Sequence, residues 1–328
     1  MAIQFRQQLI PAALCAALSA FTQAASASSY NFTQIIDPNA TGSTYAWSIT
    51  SSGNVAGWYQ DGVGDHGFVY NGSTYTSLNV PGATAGTTDA YSINDSGQVA
   101  GIYKDANGTH GFVYNGGSYT TINDPNATNG TYLLGIGNNG EVVGYYRDGI
   151  GYGYHGFTEI GGVYTALEAP GAQTTYGTTI TADGKIAGWY YDGTKDVGFV
   201  NSGGTYTSYV EPNATNGPAS LNNVNATTVS GINSSGELAG YYYDAAGSHG
   251  FIYNGGYTTF DVAGAIAATT YITGLNQSSQ LTGIYSDTAG HYIGFIATPA
   301  AVPLPGTAWL FGTVLVGVTG FSRRKLIA

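Results

Sequence analysis

The chain has 328 residues, 51 of them Gly and 28 Tyr, and its 8 Lys+Arg against 19 Asp+Glu leave a formal net charge of −11. So few basic residues exclude the electrostatic footprint of a nucleic-acid binder, and the shortage of strong helix formers other than Ala excludes long helical bundles. With 43% hydrophobic residues the chain is not disordered, and bulk Gly, Tyr, Thr, Ser, Asn and Val predict short strands joined by tight turns.

Residues 1–27 read as a secretory signal peptide. Arg6 precedes an apolar run from Leu9 to Phe21, and Ala25-Ser26-Ala27 offers a cleavage site. A buried first helix is the competing reading. Cys15 is the only cysteine; Leu14 before it argues against lipidation, and its removal with the leader excludes disulfides and thiolate catalysis.

Residues 28–300 are one unit repeated six times. Gly-Phe recurs at Gly67-Phe68, Gly111-Phe112, Gly156-Phe157, Gly198-Phe199, Gly250-Phe251 and Gly294-Phe295, with spacings of 44, 45, 42, 52 and 44. Around each pair lie four alternating runs split by Gly/Asn/Ser turns, as for four strands. Inner strands centre on Ile49, Ile93, Ile136, Ile180, Ile232 and Leu275, each preceded by a small residue suited to a crowded axis. Second strands carry Gly57, Gly101, Gly144, Gly188, Gly240 and Gly283, and third strands start at the Gly-Phe pairs. Only five outer strands follow them: Thr74–Val80, Ser118–Asp124, Val163–Glu168, Thr205–Val210 and Tyr257–Val262. The sixth comes from the beginning, Tyr30–Ile36, beside Gly294–Ala297. A four-stranded unit of this length is a propeller blade. The expected fold is therefore all-β, a six-bladed β-propeller closed by its N-terminal strand, with no open sheet edge at the closure.

The unit also resembles the bacterial extracellular repeats of the HAF type. Ile93, Asn94, Gly97, Val99, Gly101, His110, Gly111, Phe112 and Val113 match their loose pattern in order, with Gly where Ala is more usual after His. The resemblance implies an extracellular repeat protein and carries no established activity.

Strand order puts second-to-third and outer-to-inner connections on one face, which receives the longer loops. The second-to-third loops open with Asp61, Asp105, Asp148, Asp192, Asp244 and Asp287, and four end with His66, His110, His155 and His249. Six carboxylates on one face are candidate ligands for a cation such as Ca2+ or for polar glycans, although calcium needs several oxygens per site. An Asp followed by small residues is also a turn former, and this is the stronger reading; the His residues likewise read as structural hydrogen-bonding groups. No nucleophile elbow, paired acids in one loop or phosphate-binding Gly loop occurs, so no catalytic or cofactor-binding residue is assigned. Asp65 and Asp196 stand as isolated variants, and the insertion from Glu211 to Thr228 as a long loop. Tyr145, Tyr146, Tyr190, Tyr191 and Tyr241 to Tyr243 follow second-strand Gly residues. Most are expected to pack between blades, while some at loop mouths could stack on sugar rings.

Residues 301–328 begin Val302-Pro303-Leu304-Pro305. An uncharged apolar run with Trp309 at its head follows, then Arg323, Arg324 and Lys325. The run is slightly short for a full span, and the basic end favours a cytoplasmic C-terminus. This order resembles the PEP-CTERM sorting signal of Gram-negative bacteria, with Leu304 in place of the more usual Glu. The resemblance implies a transient transmembrane helix and processing by an exosortase; an ordinary C-terminal anchor is the alternative. Two functions follow as expectations. One is an exported structural or binding module of the cell surface or extracellular matrix, partnered by the secretion machinery, exosortase and extracellular polysaccharide. The other is a secreted propeller enzyme, hydrolase or lyase, acting on glycans through Asp and His of the long-loop face. All 19 acids lie between the two ends with only Lys104, Arg147, Lys185 and Lys195, which puts the exported domain near −15.

Overall fold

A computed structural model of the chain describes residues 30–149, 153–215 and 226–300. The expected leader, the expected C-terminal sorting signal and most of the Glu211 to Thr228 insertion lie outside the described residues. The described chain holds six four-stranded antiparallel sheets and no helix. Five sheets are consecutive blades, at 44–78, 89–122, 131–167, 174–209 and 227–260. The sixth combines three strands from 271–299 with the N-terminal strand Tyr30–Ile35. That strand pairs Phe32 with Ala297 and Ile35 with Gly294, so the expected closure is the observed one.

Each blade is held by the same few residues. The Phe of every Gly-Phe pair is fully buried. It lies against Tyr75, Tyr119, Tyr164, Tyr206 or Tyr257 of its outer strand, at ring centroids 5.3 to 5.7 Å apart. In the sixth blade Phe32 takes the place of this Tyr, 5.8 Å from Phe295. Each outer-to-inner corner is fixed by a Thr in or immediately before the inner strand, whose hydroxyl accepts the corner N–H. Asp124 N–H to Thr131 Oγ1, at 3.0 Å, is one example, and Thr44, Thr88, Thr175, Thr227 and Thr270 do the same. Six buried clusters sit one at each boundary between neighbouring blades. The core is therefore divided into wedges around an axis that it does not fill.

The inner strands depart from expectation. Each carries a bulge one residue wide, at Trp47, Tyr91, Leu134, Thr178, Ser230 and Thr273, and ends on its Ile or Leu in place of centring on it. The bulge explains the second-strand Gly. A Cβ on Gly57 or Gly144 would meet the carbonyl oxygen of Tyr45 or Tyr132 at 1.9 Å, because the bulged strand presses its backbone onto its neighbour. Third strands begin two or three residues before Gly-Phe, and outer strands are shorter than expected, as in Tyr75–Leu78.

Candidate functional site

Five of the six predicted carboxylates accept backbone N–H groups of their own loop, and the sixth, Asp148, meets His155. Asp61 Oδ1 accepts the N–H groups of Val63 (2.7 Å) and Gly64 (3.1 Å), and Asp105 Oδ1 that of Asn107 (2.7 Å). These backbone N–H groups hold both carboxyls below their ordinary range. Asp192 accepts from Thr194 and Lys195, Asp244 from Ala246 and Gly247, and Asp287 from Ala289 and His291. The four His residues are struts. His66 joins Asp61 to Asn79, His110 joins Asp105 to Asn123, His155 joins Asp148 to Glu168, and His249 joins Asp244 to Asp261. Each imidazole also rests on a second-strand tyrosine, Tyr59, Tyr103, Tyr146 or Tyr242. The ring of six carboxylates is thus a set of separate turns. Among the described residues no group of three or more His, Cys, Asp or Glu is placed to hold a metal ion.

The structure draws other residues together at the axis. The six bulged residues line a cavity of about 120 Å³, and they are not alike. Trp47, Tyr91 and Leu134 form one wall; Thr178, Ser230 and Thr273 form the other. The three hydroxyls on the second wall donate to Val229, Ile272 and Ala46 carbonyls of the next blade, and their lone pairs remain to accept from a guest. Trp189, Thr228 and Tyr241 also line it, with small residues such as Ser48 and Ser92.

Above the cavity, just inside the long-loop face, a belt of half-buried rings surrounds the axis. Tyr45 stacks on Trp58 at 3.6 Å, Tyr132 on Tyr145 at 4.6 Å and Tyr176 on Trp189 at 3.8 Å. Tyr145 meets Tyr176 at 4.8 Å, Tyr241 meets Tyr271 at 5.1 Å, and Tyr292 meets Tyr45 at 5.4 Å. Burial raises the Tyr145 and Tyr176 hydroxyls and pushes Tyr241 up to about 12, so these rings are neutral. Arg147 lies over Tyr154, 4.9 Å from its centroid. At the inner-strand position that supplies four of these tyrosines, blade 2 has Asp89 and blade 5 has Thr228. Burial, then the Asp65 charge, pushes the Asp89 carboxyl up to about 7, with the Tyr91 hydroxyl donating to it. Asp196 is pushed up to about 6, chiefly by burial.

Sequence reading pooled the tyrosines, although a signal separating them exists within the repeat. The second residue after the second-strand Gly is Tyr in all six copies: Tyr59, Tyr103, Tyr146, Tyr190, Tyr242 and Tyr285. Several of these bond an outer-strand hydroxyl, as Tyr103 does to Thr121 at 2.9 Å. The residue between varies (Trp58, Ile102, Tyr145, Trp189, Tyr241, Ile284) and points to the opposite face of the blade. What every blade needs is constant, and what only the axis needs varies. On the short-turn face a polar vestibule of about 490 Å³ opens around the axis. Several of its side chains bond one another, such as Asn138 to Asp95 and Ser234 to Gln277.

No family model matches the chain, and no curated protein matches it. Among solved structures it is similar to the β-propeller domain of the Trilobed protease from Pyrococcus furiosus, at 9% identity and a TM-score of 0.48, over 76% of this chain and 78% of that one. It is also similar to the acylaminoacyl peptidase of Pyrococcus horikoshii, at 9% identity and a TM-score of 0.46, over 71% of this chain but only 40% of the peptidase. The blade count rests on the sheet topology described above.

Proposed function

We propose that this chain is an exported binding module of the cell surface or extracellular matrix, whose propeller holds a sugar ring of a neutral polysaccharide at its axis. The unlike walls of the axial cavity carry this reading. Indole and phenol faces on one side suit the C–H face of a pyranose, and hydroxyl acceptors on the other suit its O–H groups. The cavity of about 120 Å³ is smaller than the ~150 Å³ that takes benzene, so a pyranose enters it with one face and keeps the rest of its ring among the aromatic belt above. Asp65, Asp89 and Asp196 near the funnel, with the acidic charge of the whole, disfavour uronate polymers. Export, exosortase processing and association with exopolysaccharide rest on residues 1–27 and 301–328. All three propeller tryptophans, Trp47, Trp58 and Trp189, are at or near the axis, so intrinsic fluorescence reports occupancy. Titration with a panel of neutral and anionic glycans is expected to show selective neutral binding, weakened at least tenfold (~1.4 kcal/mol) by Trp189→Ala. No fluorescence response to any neutral sugar would sink the reading. Asp89 favours a second reading, in which its protonated carboxyl serves as general acid in glycoside cleavage. Release of reducing ends by the wild type, abolished in Asp89→Asn, would decide for it.

A further inference from the structure

Trp58 and Trp189 occupy the same place in blades 1 and 4. So do Tyr45 and Tyr176, and Asp65 and Asp196; in all three pairs the two residues are 131 positions apart. The geometry repeats with the sequence. Tyr45 stacks on Trp58 at 3.6 Å and 19°, and Tyr176 on Trp189 at 3.8 Å and 16°. Asp65 and Asp196 each open a third strand and bridge in parallel to the next blade, at Thr87 and Ala226. In a closed ring of six blades, three blades are half a turn, so the two Tyr-Trp-Asp clamps face each other across the axis. No other blade has a Trp at this position.

The Trp189 clamp borders the axial cavity. The Trp58 clamp does not line that cavity, yet unanswered polar groups lie at it and at the neighbouring strand of blade 2. Trp58 Nε1 is buried without a hydrogen-bond partner, and so is Asp89 Oδ1. Asp89 stands in blade 2 where Tyr176 and Tyr271 stand in their blades, and those two rings pack on the second-strand aromatic of the blade before. For Asp89 that aromatic is Trp58. A buried N–H donor and a buried acceptor oxygen, both unpaired and without accessible surface, are costs that folding leaves uncompensated; sugar hydroxyls both donate and accept and can answer them once a ring of the clamp shifts to admit the guest.

We propose that Tyr45, Trp58 and Asp65, with Asp89, form a second ring-binding subsite, so that the funnel takes two rings of one neutral glycan chain laid across the axis. This rests on the sugar reading of the cavity and extends it from a single ring to an oligomer. Once one ring is seated the second contact is intramolecular, which raises affinity steeply with chain length until both clamps are reached. The test is calorimetric titration of the full chain with glucose and with cello- and malto-oligosaccharides of two, four and six rings. Affinity is expected to rise at least tenfold from glucose to an oligomer that reaches both clamps. Trp58→Ala should remove that rise and leave glucose binding in place, with Trp58→Tyr, which keeps a ring stacked on Tyr45, controlling for folding. Equal affinity at every length, or a rise untouched by Trp58→Ala, overturns the second subsite while leaving the single-ring site standing. Absence of binding by the wild type of glucose, of every oligomer and of every other neutral sugar overturns the single-ring site itself.

Discussion

Asp89 shows how one residue departs from its repeat. Four of the six inner strands place a tyrosine where blade 2 places this carboxyl. Burial and the neighbouring Asp65 raise it from 3.8 to about 7. The unfolded chain releases this proton near pH 4, while the folded chain holds it until about pH 7. Its penalty is therefore absent below pH 4, grows as pH rises, and is complete above 7, where it is on the order of 4 kcal/mol. Charged and titratable groups facing Asp89 are Asp65, Tyr91 and Lys104. Asp89→Asn is expected to melt above the wild type at pH 8, with the gap closing as pH falls toward 4; a gap that does not change with pH would contradict the assignment. The sequence offers Asp65 and Asp196 only as isolated variants and Asp89 not at all. Their meaning lies in neighbours from the adjoining blade, which no local pattern reports. The loop aspartates are the opposite case. Their turn role was legible because it is satisfied within three or four residues, as at Asp61 with Val63 and Gly64.

At the scale of the strand, the bulge in each inner strand and the Gly beside it form one device. The bulge turns one unlike residue per blade toward the axis, and the Gly yields the space that this requires. The strands themselves could be read from alternation and turn residues, and the Gly from its recurrence; the bulge could not, since it changes pairing without leaving a mark on composition. The closing strand was legible by counting, because five outer strands for six sets of the other three leave one place empty. Phe32 and Ile35 fill it, and Ile35 is fully buried. Ile35→Ala is expected to cost about 2–5 kcal/mol. Deleting residues 30–35 should leave the third strand of blade 6 as an open edge that recruits other copies, seen as a lower melting temperature and oligomers in size-exclusion chromatography. A monomer of unchanged stability would show that closure contributes nothing.

At the scale of the molecule, pairing of Tyr30 with Pro299 makes both ends of the propeller leave from the short-turn face, opposite the aromatic funnel. A membrane tether in residues 301–328 would leave the funnel directed away from its attachment. If residues 301–328 are a sorting signal, removing Arg323, Arg324 and Lys325 leaves the chain uncleaved on immunoblots; normal cleavage would count against that proposal. Half of the eight basic residues belong to the two ends, so the propeller itself is strongly acidic, which at this scale favours uncharged over anionic guests. Blade number, strand order, closure and the turn residues were determined by the sequence alone, because each is repeated or satisfied inside a unit of about 44 residues. Which residues reach the axis, how two tryptophan clamps come to face each other, and why Asp89 Oδ1 is left without a partner were decided only by the closed ring. Those relations join different blades, and a blade's own sequence carries no information about the angle at which it meets the next.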